Sequence, residues 1–129
     1  MRGGRRFVAL TFAIGLAVLA PLGMSTASAG APKKPPVKVT VNDFFFAPTA
    51  VTIKKGRAVK WVWSATNTYP HDVHLKKGPA KLKNKGSYST RTTAVTGAHF
   101  QKTFETAGTY KYICTIHPDE MQMTITVKK

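Results

Sequence analysis

The sequence predicts an all-β fold, a Greek-key sandwich or barrel. Three observations carry this expectation. Short runs rich in valine, isoleucine, threonine and aromatic residues alternate apolar and polar positions. Glycine or proline punctuates several of the gaps between them. No segment sustains a helical period.

The runs follow in order. Val37, Val39 and Val41 alternate across residues 37–41, and Val51 and Ile53 repeat the pattern before Lys55-Gly56, a turn signal. Val59, Trp61 and Trp63 lie on one face of the next run, with Val62 on the other. Residues 72–75 form a short apolar–polar stretch, and residues 100–104, 109–113 and 122–127 complete the set. Residues 76–97 are polar, lysine-rich and weakly patterned, which predicts a surface excursion with room for one short strand. Trp61 and Trp63 are expected to pack in the core rather than to relay electrons.

Ahead of the strands, Arg2, Arg5 and Arg6 precede an apolar stretch over residues 7–22, and Ala27-Ser28-Ala29 offers small residues where a signal peptidase reads. Residues 1–29 are therefore expected to be a signal peptide, removed on export to a periplasmic, extracellular or cell-surface location. The apolar stretch is short for a membrane span, so no integral span is expected after cleavage. Residues 30–36 (GAPKKPP) hold three prolines and two lysines with nothing to bury, and read as a flexible leader. Residues 37–129 suffice for one domain with a single core, expected to be monomeric.

Charge narrows the partners. The chain has 20 Lys and Arg against 5 Asp and Glu, a net of +15; without Arg2, Arg5 and Arg6 it keeps 17 against 5, or +12. Such a surplus favours anionic partners, among them proteins with acidic docking surfaces, anionic lipid and cell-wall polymers. Nucleic acid is not expected, because the chain has an export signal and no recognisable nucleic-acid module.

The single cysteine, Cys114, rules out an intramolecular disulfide. A lone thiol in an oxidising compartment is a liability unless it is buried or ligated. Within eight residues of it, Cys114-Thr115-Ile116-His117-Pro118-Asp119-Glu120-Met121, stand a thiolate, an imidazole and a thioether, on a loop between two predicted strands. A soft thiolate and two imidazoles in a plane, with a weak axial methionine, are the ligands of a blue-copper site. The second imidazole must come from elsewhere, and His71, in Tyr69-Pro70-His71-Asp72-Val73-His74, begins a predicted strand. The expected metal ligands are therefore His71, Cys114, His117 and Met121, around one type 1 copper ion. His74 has the opposite strand parity to His71 and should face away. His99 reads as a surface residue and Met123 as core, deeper than Met121. Competing readings of Cys114 are an inert core thiol, a nucleophile paired with His117, and a zinc ligand, for which methionine is a poor companion.

These two segments resemble the cupredoxins, most closely the plastocyanin, pseudoazurin and amicyanin group. Pro70-His71-Asp72-Val73-His74 is similar to an amicyanin P-H-N-V-H stretch. Gly108-Thr109-Tyr110-x-Tyr112-x-Cys114-x-x-His117 is similar to the family's G-x-Y-x-Y-x-C-x-x-H. Phe46, Pro48, Val51, Ile53 and Gly56 resemble the first hairpin of such domains, and the resemblance extends over residues 37–127. It implies a cupredoxin domain over residues 37–129 that passes single electrons between redox proteins and is not an enzyme. In that reading His117 is the electron port, framed by Ile116 and Pro118. Two departures stand out: three residues separate His117 from Met121 where plastocyanins have four and amicyanins two, and Asp72 replaces the usual Asn. An ionised Asp can only accept hydrogen bonds, so Asp72 should accept from Thr115. Two other classes stay open, a carrier that sequesters or delivers copper, and a part of a larger oxidase or nitrite reductase. The second lacks the further H-x-H pairs such an enzyme needs.

Overall fold

The valines at 37, 39 and 41 begin the first strand, β1 (Val37–Asn42), in a computed structural model that describes Gly30 and residues 33–129. The signal peptide expected over residues 1–29 lies outside the described residues. After β1 come β2 (Phe45–Ala47), β3 (Ala50–Lys54), β4 (Ala58–Trp63) and β5 (His74–Lys77). A short 3-10 helix (Lys85–Tyr88) precedes β6 (His99–Thr103), β7 (Gly108–Ile113) and β8 (Gln122–Lys128). Two four-stranded sheets result, in the orders β2-β1-β4-β6 and β3-β8-β7-β5.

The period-2 pattern of the sequence is the burial pattern of the sandwich. Val59, Trp61 and Trp63 from β4 face Tyr110 and Tyr112 from β7 and Met123, Ile125 and Val127 from β8 across one core, all buried. Trp61 sits at its centre, its ring 5.4 Å from Phe100 and 5.0 Å from Tyr112, and its indole N–H points at the Met123 sulfur 3.2 Å away. Fully burying side chains of this size stabilises by roughly 1.5–3 kcal/mol each, so the core, not any surface charge pair, holds the sandwich together.

The sheets are mixed: β1 pairs parallel with β4 and β3 parallel with β8. The link from β2 to β3 passes from one sheet to the other, so β3 forms no hairpin with β4, and the chain returns to β1 as a parallel neighbour. The strand expected at residues 72–75 starts only at His74. His71 exchanges two backbone bonds with Ala94, Val73 bonds Thr90, and the Asp72 amide points at the Cys114 sulfur, so these groups are turned away from a ladder with β7. Within residues 76–97 β5 ends at Lys77 and no further strand follows, and the segment is more than a surface excursion: Leu82 and Tyr88 are buried, and Tyr88 stacks on Tyr110 at 5.7 Å.

The topology places one end of the sandwich apart. β7 ends just before Cys114 and β8 starts just after Met121, with Ile113 opposite Gln122. The Trp63 end of β4 reaches the same place, since its indole N–H bonds the His71 carbonyl at 3.2 Å. Among the described residues no helix is long and apolar enough to cross a membrane.

Candidate metal centre

Cys114 and Met121 are fixed by the ends of their strands. The Cys114 amide donates to the Met121 carbonyl at 3.1 Å and the Met121 amide to the His117 carbonyl at 2.9 Å, closing residues 114–121 into a tight loop. The sulfur of Cys114 lies 3.9 Å from Nδ1 of His71 and 3.9 Å from Nδ1 of His117. All three donor atoms fall within 4.8 Å of one another. Bonds of roughly 2.0–2.3 Å to a central ion in a trigonal plane put donors about 3.5–4.0 Å apart, so these three residues fit a single ion with little movement. Met121 is buried at the same end, as are Cys114 and His71, whereas His117 is half-buried.

His74 is exposed while His71 is wholly buried, as strand parity required, and His99 is exposed at the start of β6. Met121 and Met123 are both buried, so the expectation that Met123 lies deeper than Met121 is not met. Both are core residues, but Met121 is roofed by its own loop, and Met123 is drawn toward the Trp61 indole.

The neighbours of the ligands explain how they are held. Asp72 accepts from the Thr115 amide at 2.7 Å and from the Thr115 hydroxyl, tying the His71 segment to the Cys114 loop. The Asp72 amide points at the Cys114 sulfur, 3.5 Å away. A second carboxylate was not foreseen. Asp43, in the β1–β2 turn, lies 2.8 Å from Nε2 of His71. An ionised carboxylate can only accept, so Nε2 carries the proton and Nδ1, facing Cys114, keeps its lone pair free for a metal. The hydrogen bond from His71 holds the Asp43 carboxyl well below the usual carboxylate range. Burial opposes this, and the Thr68 amide and hydroxyl and the Tyr69 amide add to it.

The turn that carries Asp43 also carries Phe44, at φ 68°, a left-handed conformation unusual for a bulky residue. Such strain costs on the order of 1–3 kcal/mol and persists where the surroundings require it. Here it lays the Phe44 ring edge-on to His117 at 5.0 Å, with Tyr69 behind at 5.1 Å from Phe44 and 6.3 Å from His117. Phe44, Tyr69 and Ile116 are all large and exposed, so the half-buried imidazole opens onto an apolar face broader than Ile116 and Pro118. Phe44 left no signal in the sequence, where it reads as one of three consecutive phenylalanines.

Comparison with known proteins agrees with this geometry. Residues 34–128 match the family described as copper binding proteins, plastocyanin/azurin family. The chain is 33% identical over 114 residues to amicyanin-alpha of Methylorubrum extorquens, covering 85% of this chain and 91% of that protein. It is similar to the structure of amicyanin from Paracoccus versutus, with a TM-score of 0.59 and 31% identity over 78% of this chain and 87% of that one. It is also similar to part of a Cu-containing nitrite reductase from Thermus scotoductus, with a TM-score of 0.62 and 27% identity, spanning 79% of this chain but only 24% of the reductase.

Proposed function

The chain belongs to the plastocyanin/azurin family of copper-binding proteins, the cupredoxins, and on that premise we propose that it works outside the cytoplasm, passing electrons one at a time between redox proteins. The observation that carries this reading is the convergence of two imidazoles and a thiolate at 3.9 Å separations beneath an apolar, partly open face.

In this reading His71, Cys114, His117 and Met121 would hold the ion, two through imidazole nitrogen and two through sulfur. Copper, when bound, supplies the Cu(II)/Cu(I) couple. The chain's own contribution is rigidity. Asp43 fixes the His71 ring, Asp72 fixes the Cys114 loop, and the paired amides of Cys114 and Met121 fix the loop ends. A site held this way need not rearrange between oxidation states, which keeps electron exchange fast. His117 is the ligand nearest solvent and therefore the port.

The partners we propose are redox proteins, and the expectation of acidic docking surfaces is narrowed. Asp43, Asp72, Asp119 and Glu120 stand around the metal end, so a partner's contact face must be apolar at its centre, and any acidic patch on it must fall outside that contact. Export rests on residues 1–29 and predicts a mature chain beginning at Gly30; N-terminal sequencing of exported protein that retains residues 7–22 would overturn it.

The test of function is cycling. Copper-loaded protein should lose its colour on one-electron reduction, regain it on oxidation by a second redox protein, and retain its copper throughout. Release of copper to a chelator at each reduction would point instead to the carrier reading.

A further inference from the structure

The positive charge of this molecule is sorted by the fold. The parallel pairs β3–β8 and β1–β4 bring Lys54 opposite Lys128 and Val37 opposite Val59, at the end of the sandwich away from Cys114. Along β8 the two ends lie about 20 Å apart at 3.3 Å per residue. At the far end Lys33, Lys34, Lys54, Lys55, Arg57 and Lys128 line one groove of about 580 Å³. The leader is held against it, since Arg57 Nε donates to the Pro35 carbonyl at 3.1 Å, which keeps Lys33 and Lys34 at the groove.

Among the described residues no salt bridge engages these six cations, and the contact between His71 and Asp43 lies at the other end of the molecule. Of the 5 acidic residues, Asp43, Asp72, Asp119 and Glu120 belong to the metal end, leaving Glu105 near Gly56 as the carboxylate of the basic end. Six cations crowded round one groove repel each other and attract a dense line of negative charge.

We propose that this groove binds a linear polyanion, and that the protein docks on it with the metal end turned outward. Six cations lining one recess suit a chain of closely spaced anionic groups, which can enter it, better than a flat bilayer, which cannot. The groove stands independently of copper; only the consequence for orientation rests on the electron-transfer reading. Electrostatic docking at one end and electron exchange at the other can then proceed together.

The test uses exported protein and inorganic polyphosphate, with binding followed by fluorescence anisotropy as salt rises. Six contacts predict a log–log salt slope of about −4. A triple variant, Lys54→Gln, Lys55→Gln and Lys128→Gln, should bring that slope to about −2 and weaken binding at least about tenfold. A control with the same net charge, Lys76→Gln, Lys77→Gln and Lys111→Gln, should bind within about twofold of the wild type, and this contrast isolates the groove from overall charge. Copper-free and copper-loaded protein should bind alike, so a failure of the metal reading would leave this result standing. Equal loss in both triple variants would overturn the proposal, as would tighter binding to vesicles of anionic phospholipid than to polyphosphate at equal phosphate. Folding of each variant is checked by far-ultraviolet circular dichroism, which needs no bound metal.

Discussion

At the scale of single residues, the site is a set of side chains each given one orientation by a neighbour. His71 is the clearest case. Buried and facing Cys114 with one nitrogen, it is fixed through the other by Asp43. Asp43→Asn removes the charge and weakens the hydrogen bond that holds the ring. It should lower copper affinity by about 10–100-fold and raise the reduction potential, because a nearby anion favours the more positive oxidation state. Competition titration and voltammetry measure both, and an unchanged affinity and potential would reduce Asp43 to a turn residue. The four candidate ligands could be named from the sequence because three of them lie within eight residues and the fourth sits in a recognisable segment. Asp43 could not, since the separation of 28 positions between it and His71 is bridged only by the fold. Asp72 was legible because the chemistry of a carboxylate leaves it only acceptor roles, and its Thr115 partners meet that requirement.

At the scale of elements, periodicity located β1, β3, β4, β6, β7 and β8 because each buries one face. It missed β2, three residues long, and it began β5 two residues early. Both errors concern backbone hydrogen bonds whose partners are remote in sequence, and no local pattern encodes those. Close packing between elements makes a sharper demand at Gly108, which opens β7 at φ 140°. A Cβ there would lie 2.6 Å from the Pro79 ring. Gly108→Ala combines a conformation closed to alanine with an overlap against a rigid ring, and should destabilise by roughly 2–4 kcal/mol. Denaturant unfolding gives the value, and a loss under about 0.5 kcal/mol, the range of ordinary surface substitutions, would show that the loop carrying Pro79 yields freely.

At the scale of the whole molecule, the net charge was legible and its distribution was not, because composition cannot say which strand ends share a pole. The core has an electrostatic consequence of its own. Burial raises the Tyr110 hydroxyl to about 12 and pushes Tyr112 higher still and Tyr88 upward; charge on Tyr88 adds to the first two and Glu105 to the third. An unfolded tyrosine ionises near pH 10. Between about pH 10 and 12 the unfolded chain therefore releases protons that the folded one retains, so the stability these groups contribute is complete below pH 10 and falls as pH rises. Tyrosinate absorbance from these three residues should appear together with loss of the fold. Their ionisation near pH 10 in a still-folded protein would contradict the packing described.

The central claim is that His71, Cys114, His117 and Met121 make one blue-copper centre. The most direct measurement is the optical spectrum of the Cu(II)-loaded protein beside that of Cys114→Ser. A thiolate bonded to Cu(II) should give intense visible absorption in the wild type, lost in the variant while the far-ultraviolet circular dichroism of the sandwich is kept. A colourless Cu(II) complex of the wild type, or a coloured one that survives removal of the thiol, would contradict it.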